Sequence, residues 1–348
     1  YKNDGYVSRK IDVLDKPILS VIIPSYNVSL YLRNTVYSLL DHRNAGKIEV
    51  LIVNDGSKDD TAKIGLELVK QYRVGNHEIV KLIDKENGGH GSTINVGIQK
   101  AQGKYVKVVD GDDTVDSEEF AKLIDILEHE DSDIVLNNYI EDFAKDNYAH
   151  LMKIYTHLKP GIKYKFDDLC YPQYGFTSWG PILSCSSYKT EMLKNSGYKL
   201  LEKTFYVDMQ LNTYVAILCD TITYYDLNIY RYFLGRDGQS IARSSYTRNY
   251  KHHENVCFAM LEAYYEAKDK ISSNKQKYIK NNLLTPMLTT QYYICINYFN
   301  KCKPFKEFNS RLKKYPEFYN DKKIALSGVK FHRVTGGLLI WCNTFLVK

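Results

Sequence analysis

The sequence lacks the cysteine pattern of a disulfide-stabilised or zinc-stabilised fold. Its 348 residues include seven cysteines, an odd number, and no CxxC pair, which argues against a disulfide framework and a structural zinc site. We therefore expect reduced cysteines and a cytoplasmic protein. With only 20 glycines and 8 prolines, the chain is neither collagen-like nor broadly disordered.

Two phosphate-binding motifs are also missing. No GxxxxGK[ST] or GxGxxG pattern follows the first predicted strand, which argues against a P-loop NTPase and a dinucleotide-binding dehydrogenase. No nucleic-acid-binding motif accompanies the basic residues, so we expect no nucleic-acid partner. Residues 1–16 are polar and contain no apolar stretch, so we expect no signal peptide.

What the sequence does contain is the composition of a folded α/β protein, with 44% hydrophobic and 25% charged residues. Over the first 140 residues, short β-branched runs alternate with segments of helical period, which is typical of βαβ units and a parallel sheet. The predicted strands are Leu19–Pro24, Ile48–Asn54, Ile79–Asp84, Lys104–Asp110 and Ile134–Asn138. The predicted helices are Leu30–His42, Thr61–Tyr72, Ser92–Ala101 and Ser117–Glu128.

A second lobe is predicted after residue 140. It contains strands at Ile182–Ser187 and Thr221–Leu234 and a helix near Asp208–Leu218. From about residue 246 onward the pattern is helical, and it includes the segments Glu254–Lys270 and Lys277–Tyr298.

The positive charge is concentrated in this last region. Residues 248–348 contain 18 Lys and Arg against 7 Asp and Glu, a net charge of +11, whereas residues 1–247 carry −5. Such a region is either a solvated helical surface or a contact with anionic lipid, and both interpretations stay open. The uncharged run Val334–Val347 has 14 residues, fewer than the roughly 20 that span a bilayer. It fits a packed terminal helix, an interfacial anchor or the start of a longer span.

Acidic and polar residues follow four of the predicted strands. In an open parallel sheet, ligands bind beyond the carboxyl ends of the strands, so side chains placed there are candidates for function. These positions are Pro24–Asn27, Asn54–Ser57, Asp84 with Glu86–Gly89, and Asp110–Asp113. We expect them to converge on one cleft.

The segment Asp110–Asp113 predicts a metal site. Three carboxylates within four residues repel one another unless a cation neutralises them, and oxygen ligands favour Mg²⁺ or Mn²⁺. Magnesium commonly completes its shell with phosphate oxygens, so we expect a nucleotide diphosphate in the cleft. Asp55 can accept the N3 hydrogen of a uracil, and Tyr26 can stack on the base or ribose. The alternatives are an acidic turn that caps the next helix and, for Asp55, an Asx turn.

Together these motifs resemble family 2 inverting glycosyltransferases of the GT-A fold. The first lobe carries the resemblance in five segments: Pro24–Asn27, Ile52–Thr61, Glu86–Gly89 through Asn95–Ile98, Ala101–Tyr105 and Asp110–Asp113. The second lobe adds Trp179–Gly180, Phe205–Asp208, Tyr230–Tyr232 and Arg236 through Gln239–Ile241. The resemblance covers roughly residues 17 to 240, and the last hundred residues match no family pattern.

The resemblance implies a role for each matching residue. Asp55 would read the uracil, Asn87 would help to hold the nucleoside, and Asp110 would touch ribose or metal. Asp112, the last residue of a DXD motif, would bind Mn²⁺ or Mg²⁺, with Asp113 as a second ligand. The predicted donor-binding set also contains Pro24, Tyr26, Gly111, Arg236 and Ser240.

For catalysis, the resemblance implies that Asp208 is the general base, and the alternative is a helix cap. An acidic pair is usual in the family at that point, whereas Val207 precedes Asp208 here. A second departure is Ile94, where many members have an arginine; Lys85 or His90 could compensate. The adjacent His252 and His253 are interpreted as surface residues and left out of the site.

The predicted organisation is therefore an N-terminal extension at 1–16, a GT-A catalytic domain at 17–245 and a basic helical region at 246–348. The catalytic domain divides into a nucleotide-binding half at 17–140 and an acceptor half at 141–245. The predicted activity is transfer of a sugar from a nucleotide donor, a UDP-sugar, to a hydroxyl of a glycan, glycolipid or glycoprotein. A catalytically inactive scaffold or glycan-binding module is the alternative, and a sugar nucleotidyltransferase is disfavoured by the missing glycine-rich basic loop.

Overall fold

The computed structural model describes residues 13–41, 43–143, 148–170, 181–234, 247–299 and 302–335. Described residues within Tyr1–Phe166, Pro181–Lys203 and Leu218–Arg236 form a first compact unit. Those within Asp167–Gly180, Thr204–Ile217 and Asp237–Lys348 form a second. The predicted boundaries at residues 17 and 246 stay a prediction.

The first unit is built on a mixed β-sheet. The strands of the described chain are β1 (Leu19–Ser25), β2 (Ile48–Asp55), β3 (Arg73–Val74), β4 (His77–Glu78), β5 (Val80–Lys85), β6 (Tyr105–Val108), β7 (Thr114–Val115), β8 (Ile134–Phe143), β9 (Tyr148–Met152), β10 (Lys163–Lys165), β11 (Ser186–Lys189) and β12 (Thr221–Leu234). Its helices are α1 (Leu32–Leu39), α2 (Thr61–Gln71), α3 (His90–Lys100), α4 (Ser117–His129) and α6 (Thr190–Asn195), while α5 (Phe166–Leu169) begins at its boundary.

The main sheet has the order β10-β12-β8-β11-β6-β1-β2-β5, and β7 and β9 pair with β12 and β8. The run β5-β2-β1-β6 is parallel, so the predicted parallel α/β arrangement is confirmed. Strand β11 then pairs antiparallel with both β6 and β8. The register places Ser25 beside Asn54 and Asn54 beside Asp84, so three strand ends lie at one edge of the sheet.

The two central strands explain why this sheet forms. Every residue of β1 and β2 is buried, which is typical of parallel strands covered by helices on both faces. Helix α4 begins where the sequence predicted, because Asp116 caps it. The Asp116 carboxylate accepts hydrogen bonds from the backbone N–H groups of Glu118 and Glu119.

Some predicted elements differ from the observed ones. The predicted strand Ile182–Ser187 is a 3₁₀ turn at Leu183–Cys185 followed by β11. Strand β8 continues five residues beyond Asn138, because it pairs with β12 and β9 along that extension. Pairing between distant segments leaves little local signal, since cross-strand neighbours decide it.

The second unit is helical in its C-terminal part, as the sequence predicted. Its helices are α7 (Val207–Leu218, up to residue 217), α8 (Tyr250–Ala267), α9 (Ser273–Tyr278), α10 (Thr285–Asn297), α11 (Lys303–Leu312), α12 (Pro316–Tyr319) and α13 (Ser327–Val334). The predicted helix Lys277–Tyr298 is divided by a π-helical turn at Ile279–Leu284. Pro286 lies in the first turn of α10 and has no N–H to donate to the preceding turn, which accounts for the irregularity.

Buried charge and aromatic packing hold the second unit together. The Glu254 carboxylate is completely buried and accepts hydrogen bonds from Arg311 at 2.6 Å and Lys251 at 3.1 Å. The Arg311 guanidinium also lies 3.8 Å from the ring centre of Phe258. No helix of the described residues has both the length and the apolar character needed to cross a membrane.

Candidate functional site

Asp55, the last residue of β2, lies at the predicted edge of the sheet. Its carboxylate is almost fully buried, and Oδ1 accepts hydrogen bonds from Lys85 Nζ at 2.7 Å and Gly88 N at 2.8 Å. Oδ2 accepts one from Gly89 N at 2.7 Å. Asp55 therefore fixes the loop that follows β5 and keeps a cation at the strand ends.

Asn87 joins the same two loops from the other direction. Its side-chain amide donates to the backbone carbonyl of Asp55 at 2.9 Å. Beside it, Gly56 has a φ of +67°, and a Cβ atom there would lie 3.0 Å from the backbone nitrogen of Asn87. The close approach of the β2 and β5 loops thus requires glycine at position 56.

The loop after β1 is tied to the loop after β2. The Asn27 backbone N–H donates to Ser57 Oγ at 3.0 Å, and Asn27 Oδ1 accepts from the backbone N–H of Lys58 at 2.8 Å. Asn27 itself has a left-handed φ of 53°, a conformation that asparagine tolerates better than most residues. Tyr26, which precedes it, is about half exposed, at 49%, so its ring is accessible.

Gly111 connects the loop after β6 to the same edge. Its backbone N–H donates to the carbonyl oxygen of Pro24 at 3.2 Å. A Cβ atom at position 111 would lie 2.9 Å from that oxygen and 3.0 Å from Val28 Cγ2. The structure thus brings together the predicted residues Pro24, Tyr26, Asp55, Asn87 and Asp110–Asp113 in one unit.

The three acids of this loop have different environments. Asp110 is partly exposed, and its Oδ1 lies 3.1 Å from Nε2 of His90. Asp112 is half-buried. Asp113 is buried, and its two oxygens accept from the Tyr230 hydroxyl at 2.6 Å and the backbone N–H of Phe233 at 2.8 Å.

Burial, reinforced by the charge of Asp110, raises the pKa of Asp113 to about 8. Burial likewise raises the pKa of its partner Tyr230 well above the usual tyrosine range. Burial and these two hydrogen bonds fix the Asp113 carboxylate within the fold. Its ligand role stays a prediction.

Two basic residues lie at this edge of the sheet, Lys85 at the end of β5 and His90 at the start of α3. Lys85 is paired with Asp55, and His90 with Asp110. Ile94, at the position of the expected arginine, is buried in the core. Lys85 and His90, the two residues that sequence reasoning named as substitutes, thus each lie beside an acid of this edge, and their role toward the donor stays a prediction.

Tyr230 was not among the predicted site residues. It lies on β12, more than a hundred residues along the chain from the acids, and contacts both Asp113 and Asp110, the latter at 3.5 Å. The pairing of β12 with β7 brings it there. The sequence did hold a signal for Tyr230, because it belongs to the segment Tyr230–Tyr232, one of those that carry the family resemblance.

The predicted base Asp208 belongs to the second unit. It lies in the first turn of α7 and is exposed, whereas every other residue of that helix up to Ile217 is buried. Arg236 and Ser240, predicted to bind the donor, lie outside the described residues, as do Trp179, Gly180 and residues 336–347 of the uncharged run.

The match to a family model shows which family the chain belongs to. The model of glycosyl transferase family 2 matches residues 20–197, just over half of the chain. The protein is therefore a member of glycosyl transferase family 2.

Two curated relatives are bacterial. The chain is 36% identical over 119 residues to the uncharacterized glycosyltransferase EpsJ of Bacillus subtilis, an alignment that covers 34% of this chain and 33% of EpsJ. It is 27% identical over 227 residues to the glycosyltransferase GlyA of Streptococcus pneumoniae, which covers 62% of this chain and 30% of GlyA. The chain thus spans about a third of the length of these relatives.

A solved structure confirms the GT-A type of fold. Residues 1–349 of S. aureus TarS, in a complex with UDP-GlcNAc, superpose with a TM-score of 0.61 at 20% identity. The superposition covers 94% of this chain and 88% of that one. The predicted fold class and family are both confirmed.

Proposed function

We propose that this protein is an inverting glycosyltransferase that moves a sugar from a UDP-sugar to a hydroxyl of a glycan, glycolipid or glycoprotein. The observation that carries the proposal is the joined set of strand-end loops, in which buried Asp55 ends β2 and Asp110 and Asp112 follow β6 at the same edge of the sheet. Family membership and the UDP-GlcNAc held by the TarS relative support the same donor class. TuaG of B. subtilis, named for teichuronic acid biosynthesis, is 34% identical over 112 residues, 32% of this chain and 42% of TuaG, and supports a surface-glycan acceptor.

Asp55 and Asn87 would hold the nucleoside in this proposal. Asp55 has a fixed carboxylate in a nearly dry environment, where a hydrogen bond from the uracil N3–H gains strength from the low dielectric. Asn87 is held against the Asp55 carbonyl and so keeps a fixed position beside the base. Tyr26 offers an accessible ring to the base or ribose.

The donor set of the β6 loop fits a Mg²⁺ or Mn²⁺ ion. Among the described residues, no three or more His, Cys, Asp or Glu side chains are grouped so that they could hold a metal ion by themselves. Magnesium is commonly held by only one or two carboxylates together with substrate phosphates and water, so Asp112 and Asp110 suffice as its protein ligands. When bound, the ion would offset the charge that develops on the leaving diphosphate.

Asp208 would act as the general base on the acceptor. Its carboxylate would take the proton of the acceptor hydroxyl while that oxygen forms a bond to the anomeric carbon. The bond from the anomeric carbon to the diphosphate oxygen breaks on the opposite side, so the configuration inverts. A single in-line displacement forms no covalent intermediate with the protein, so positioning supplies much of the rate.

The proposal is tested by donor hydrolysis and transfer across a panel of nucleotide sugars, with and without Mn²⁺. UDP-sugars should be preferred, and Mn²⁺ should stimulate the reaction. If the folded protein hydrolyses no UDP-sugar and does not bind UDP, the proposal is wrong and a scaffold role is the explanation.

Asp208→Asn tests the base separately from donor binding. We expect UDP affinity close to wild type and turnover reduced about 10²- to 10⁴-fold, the range for loss of one general base. Asp269→Asn, an exposed aspartate of the same unit, is the matched control. If Asp208→Asn transferred sugar at the wild-type rate, Asp208 would serve only the structure of helix α7.

We also propose that the basic C-terminal region contacts the anionic inner face of the plasma membrane from the cytoplasm. Its net charge of +11 supports this, since each Lys or Arg near such a surface contributes about 1 kcal/mol. Co-sedimentation with vesicles of phosphatidylglycerol and phosphatidylcholine, compared with phosphatidylcholine alone, should show binding that falls as salt shortens the Debye length below about 8 Å. Equal binding to neutral vesicles, or none, would contradict the lipid contact.

A further inference from the structure

The segment that leads into α7 exposes one large aromatic side chain beside Asp208. Phe205 is 46% exposed and Asp208 is exposed, while Val207 and Met209 on either side of Asp208 are buried. A single exposed aromatic residue is ordinary on a protein surface. What surrounds Phe205 is not ordinary, because its ring and its backbone are both held in place.

The ring of Phe205 stacks on the imidazole of His252. Their centres lie 5.6 Å apart, with 23° between the planes. The backbone N–H of Phe205 also donates to Nδ1 of His252 at 3.4 Å. Because Nδ1 accepts this hydrogen bond, the neutral imidazole carries its proton on Nε2, which makes Nε2 the donor nitrogen of the pair.

Tyr206 shows that the backbone is constrained at this point. Its φ of 67° is left-handed, a conformation that is sterically unfavourable for an L-residue other than glycine. Its ring packs edge-on against His253, with centres 5.3 Å apart and 73° between planes. Strained residues persist where the surroundings over-determine them, and such positions cluster at ligand-binding sites.

The two adjacent histidines thus have different environments. His253 is buried, and its Nδ1 lies 2.8 Å from Oε1 of Gln291. Burial lowers the pKa of His253 to about 4, so it is neutral at physiological pH. The expectation that both histidines lie on the surface is therefore wrong for His253, which anchors Tyr206, while His252 stacks with Phe205.

We propose that Phe205 and His252 form the platform on which the terminal pyranose of the acceptor stacks, three residues from the base Asp208. The inference rests on the proposed function, since it takes Asp208 as the base. A pyranose has an apolar face of C–H groups that suits the negative face of an aromatic ring, and hydroxyls at its rim that suit the Nε2 donor. A rigid platform beside the base would make Phe205 a positioning residue that orients the acceptor hydroxyl.

The proposal is tested by saturation-transfer NMR titrations of the full chain with the methyl β-pyranosides of glucose, galactose and N-acetylglucosamine. At least one pyranoside should bind the wild type, and Phe205→Leu should weaken it about tenfold, whereas Phe205→Tyr should retain it. His252→Gln should weaken binding less. UDP titrations on the same samples should be unchanged by all three substitutions.

Phe331→Leu is the matched control. Phe331 is 50% exposed and also lies beside a histidine, but its ring meets His332 edge-on, with 71° between planes. It should leave pyranoside binding unchanged. In transfer assays, Phe205→Leu should raise the KM for the acceptor and leave donor hydrolysis at the wild-type rate.

Two outcomes would overturn the platform. One is equal pyranoside binding by wild type, Phe205→Leu and Phe331→Leu, and the other is no pyranoside binding by a wild type that binds UDP. Neither outcome contradicts the proposed function, which fails only if the wild type binds no UDP. If the wild type binds no UDP, the pyranoside titrations of the same samples still test the platform. Thermal unfolding of each variant, together with the Phe205→Tyr result, separates loss of the ring from loss of the fold.

Discussion

The two ends of strand β2 each carry a buried carboxylate that is paired with a lysine of β5. Near the start of the strand, Glu49 accepts from Lys81 Nζ at 2.7 Å, with Ser20 Oγ at 2.6 Å on its other oxygen. At the end of the strand, Asp55 accepts from Lys85 Nζ at 2.7 Å. Both ends of β2 therefore have a buried carboxylate that is paired with a lysine of β5.

The surroundings of the two acids differ. The carboxylate of Glu49 is surrounded by donors of neighbouring elements, including the backbone N–H of Gln102, and lines an open cavity at the amino-terminal edge. The loops at the Asp55 end contain left-handed residues at Asn27, Gly56 and Gly89, followed by the acids of the β6 loop. A buried carboxylate–lysine pair is therefore no functional signal in itself; the signal is its place among loops that approach closely and carry further acids.

The largest expected contrast comes from matched substitutions of these two acids. Asp55→Asn and Glu49→Gln each remove one charged hydrogen-bond acceptor, and each should lower the free energy of unfolding by about 2 kcal/mol. Only Asp55→Asn should weaken UDP, by roughly 30-fold or more, because it loses a charged acceptor for the base. Urea unfolding and calorimetric UDP titration check the pair, and equal UDP affinity in both variants would remove the distinction between the edges.

The next contrast lies within the β6 loop and the start of α4. Asp112→Asn should abolish the increase in UDP affinity that Mn²⁺ produces, an effect of about tenfold if one carboxylate ligand is lost. Asp116→Ala, four residues further on, should cost about 1 kcal/mol of stability through loss of the α4 cap and leave the Mn²⁺ response intact. An unchanged Mn²⁺ response in Asp112→Asn, measured by calorimetry, would remove Asp112 from the ligand set.

Two glycines extend the comparison to the backbone. An added Cβ would lie 2.9 Å from Pro24 O at Gly111, near the donor loops, and 2.5 Å from Ser20 N at Gly103, at the opposite edge. Gly103→Ala should therefore lose more stability, about 1–3 kcal/mol, because backbone must move. Gly111→Ala should lose less stability but weaken UDP several-fold, roughly up to the tenfold that 1.4 kcal/mol represents. The reverse pattern would show that the Gly111 contact serves the fold alone.

Much of this contrast could be predicted from sequence. The β-branched runs predicted the parallel strands. The acids after these strands indicated the functional edge, because the carboxyl ends of parallel strands lie on one side of the sheet. Glu49, inside a buried run, gave no comparable signal. The acids of the β6 loop were predicted as a group, but the difference between a partly exposed Asp110 and a buried Asp113 was not predictable from spacing.

What could not be predicted depends on distant partners. Tyr230 reaches Asp113 only because β12 returns to pair with β7, and the inward orientation of His253 depends on Gln291 of another helix. Neither contact has a local pattern. The π-helical turn before α10 did have one, since Pro286 is visible in the sequence and interrupts the helical hydrogen bonds.

A last and smaller effect concerns Lys107, which lies on β6 between the two edges. Its ammonium group is completely buried and donates hydrogen bonds to three oxygens: Asn137 Oδ1 at 3.1 Å, the carbonyl of Ser184 at 2.8 Å and that of Ser186 at 3.3 Å. Burial lowers the pKa of Lys107 to about 8, whereas an unfolded lysine titrates near about 10.4. The network joins β6, β8 and β11 and serves the fold rather than the donor.

Lys107→Met should therefore leave UDP affinity unchanged and alter how stability depends on pH. Between about pH 8 and 10 the wild-type unfolded state binds one more proton than the folded state at this residue, so wild-type stability should rise relative to the variant. Below pH 8 the amine is protonated in both states, and the difference between the proteins should be constant. Urea unfolding of both proteins from pH 7 to 10 measures the difference between their free energies of unfolding. The tyrosines that titrate in the same range contribute equally to both proteins, so their contribution cancels in this difference. A difference that stays flat up to pH 10 would show that burial does not depress this pKa, and a loss of UDP affinity would tie the middle of the sheet to the site.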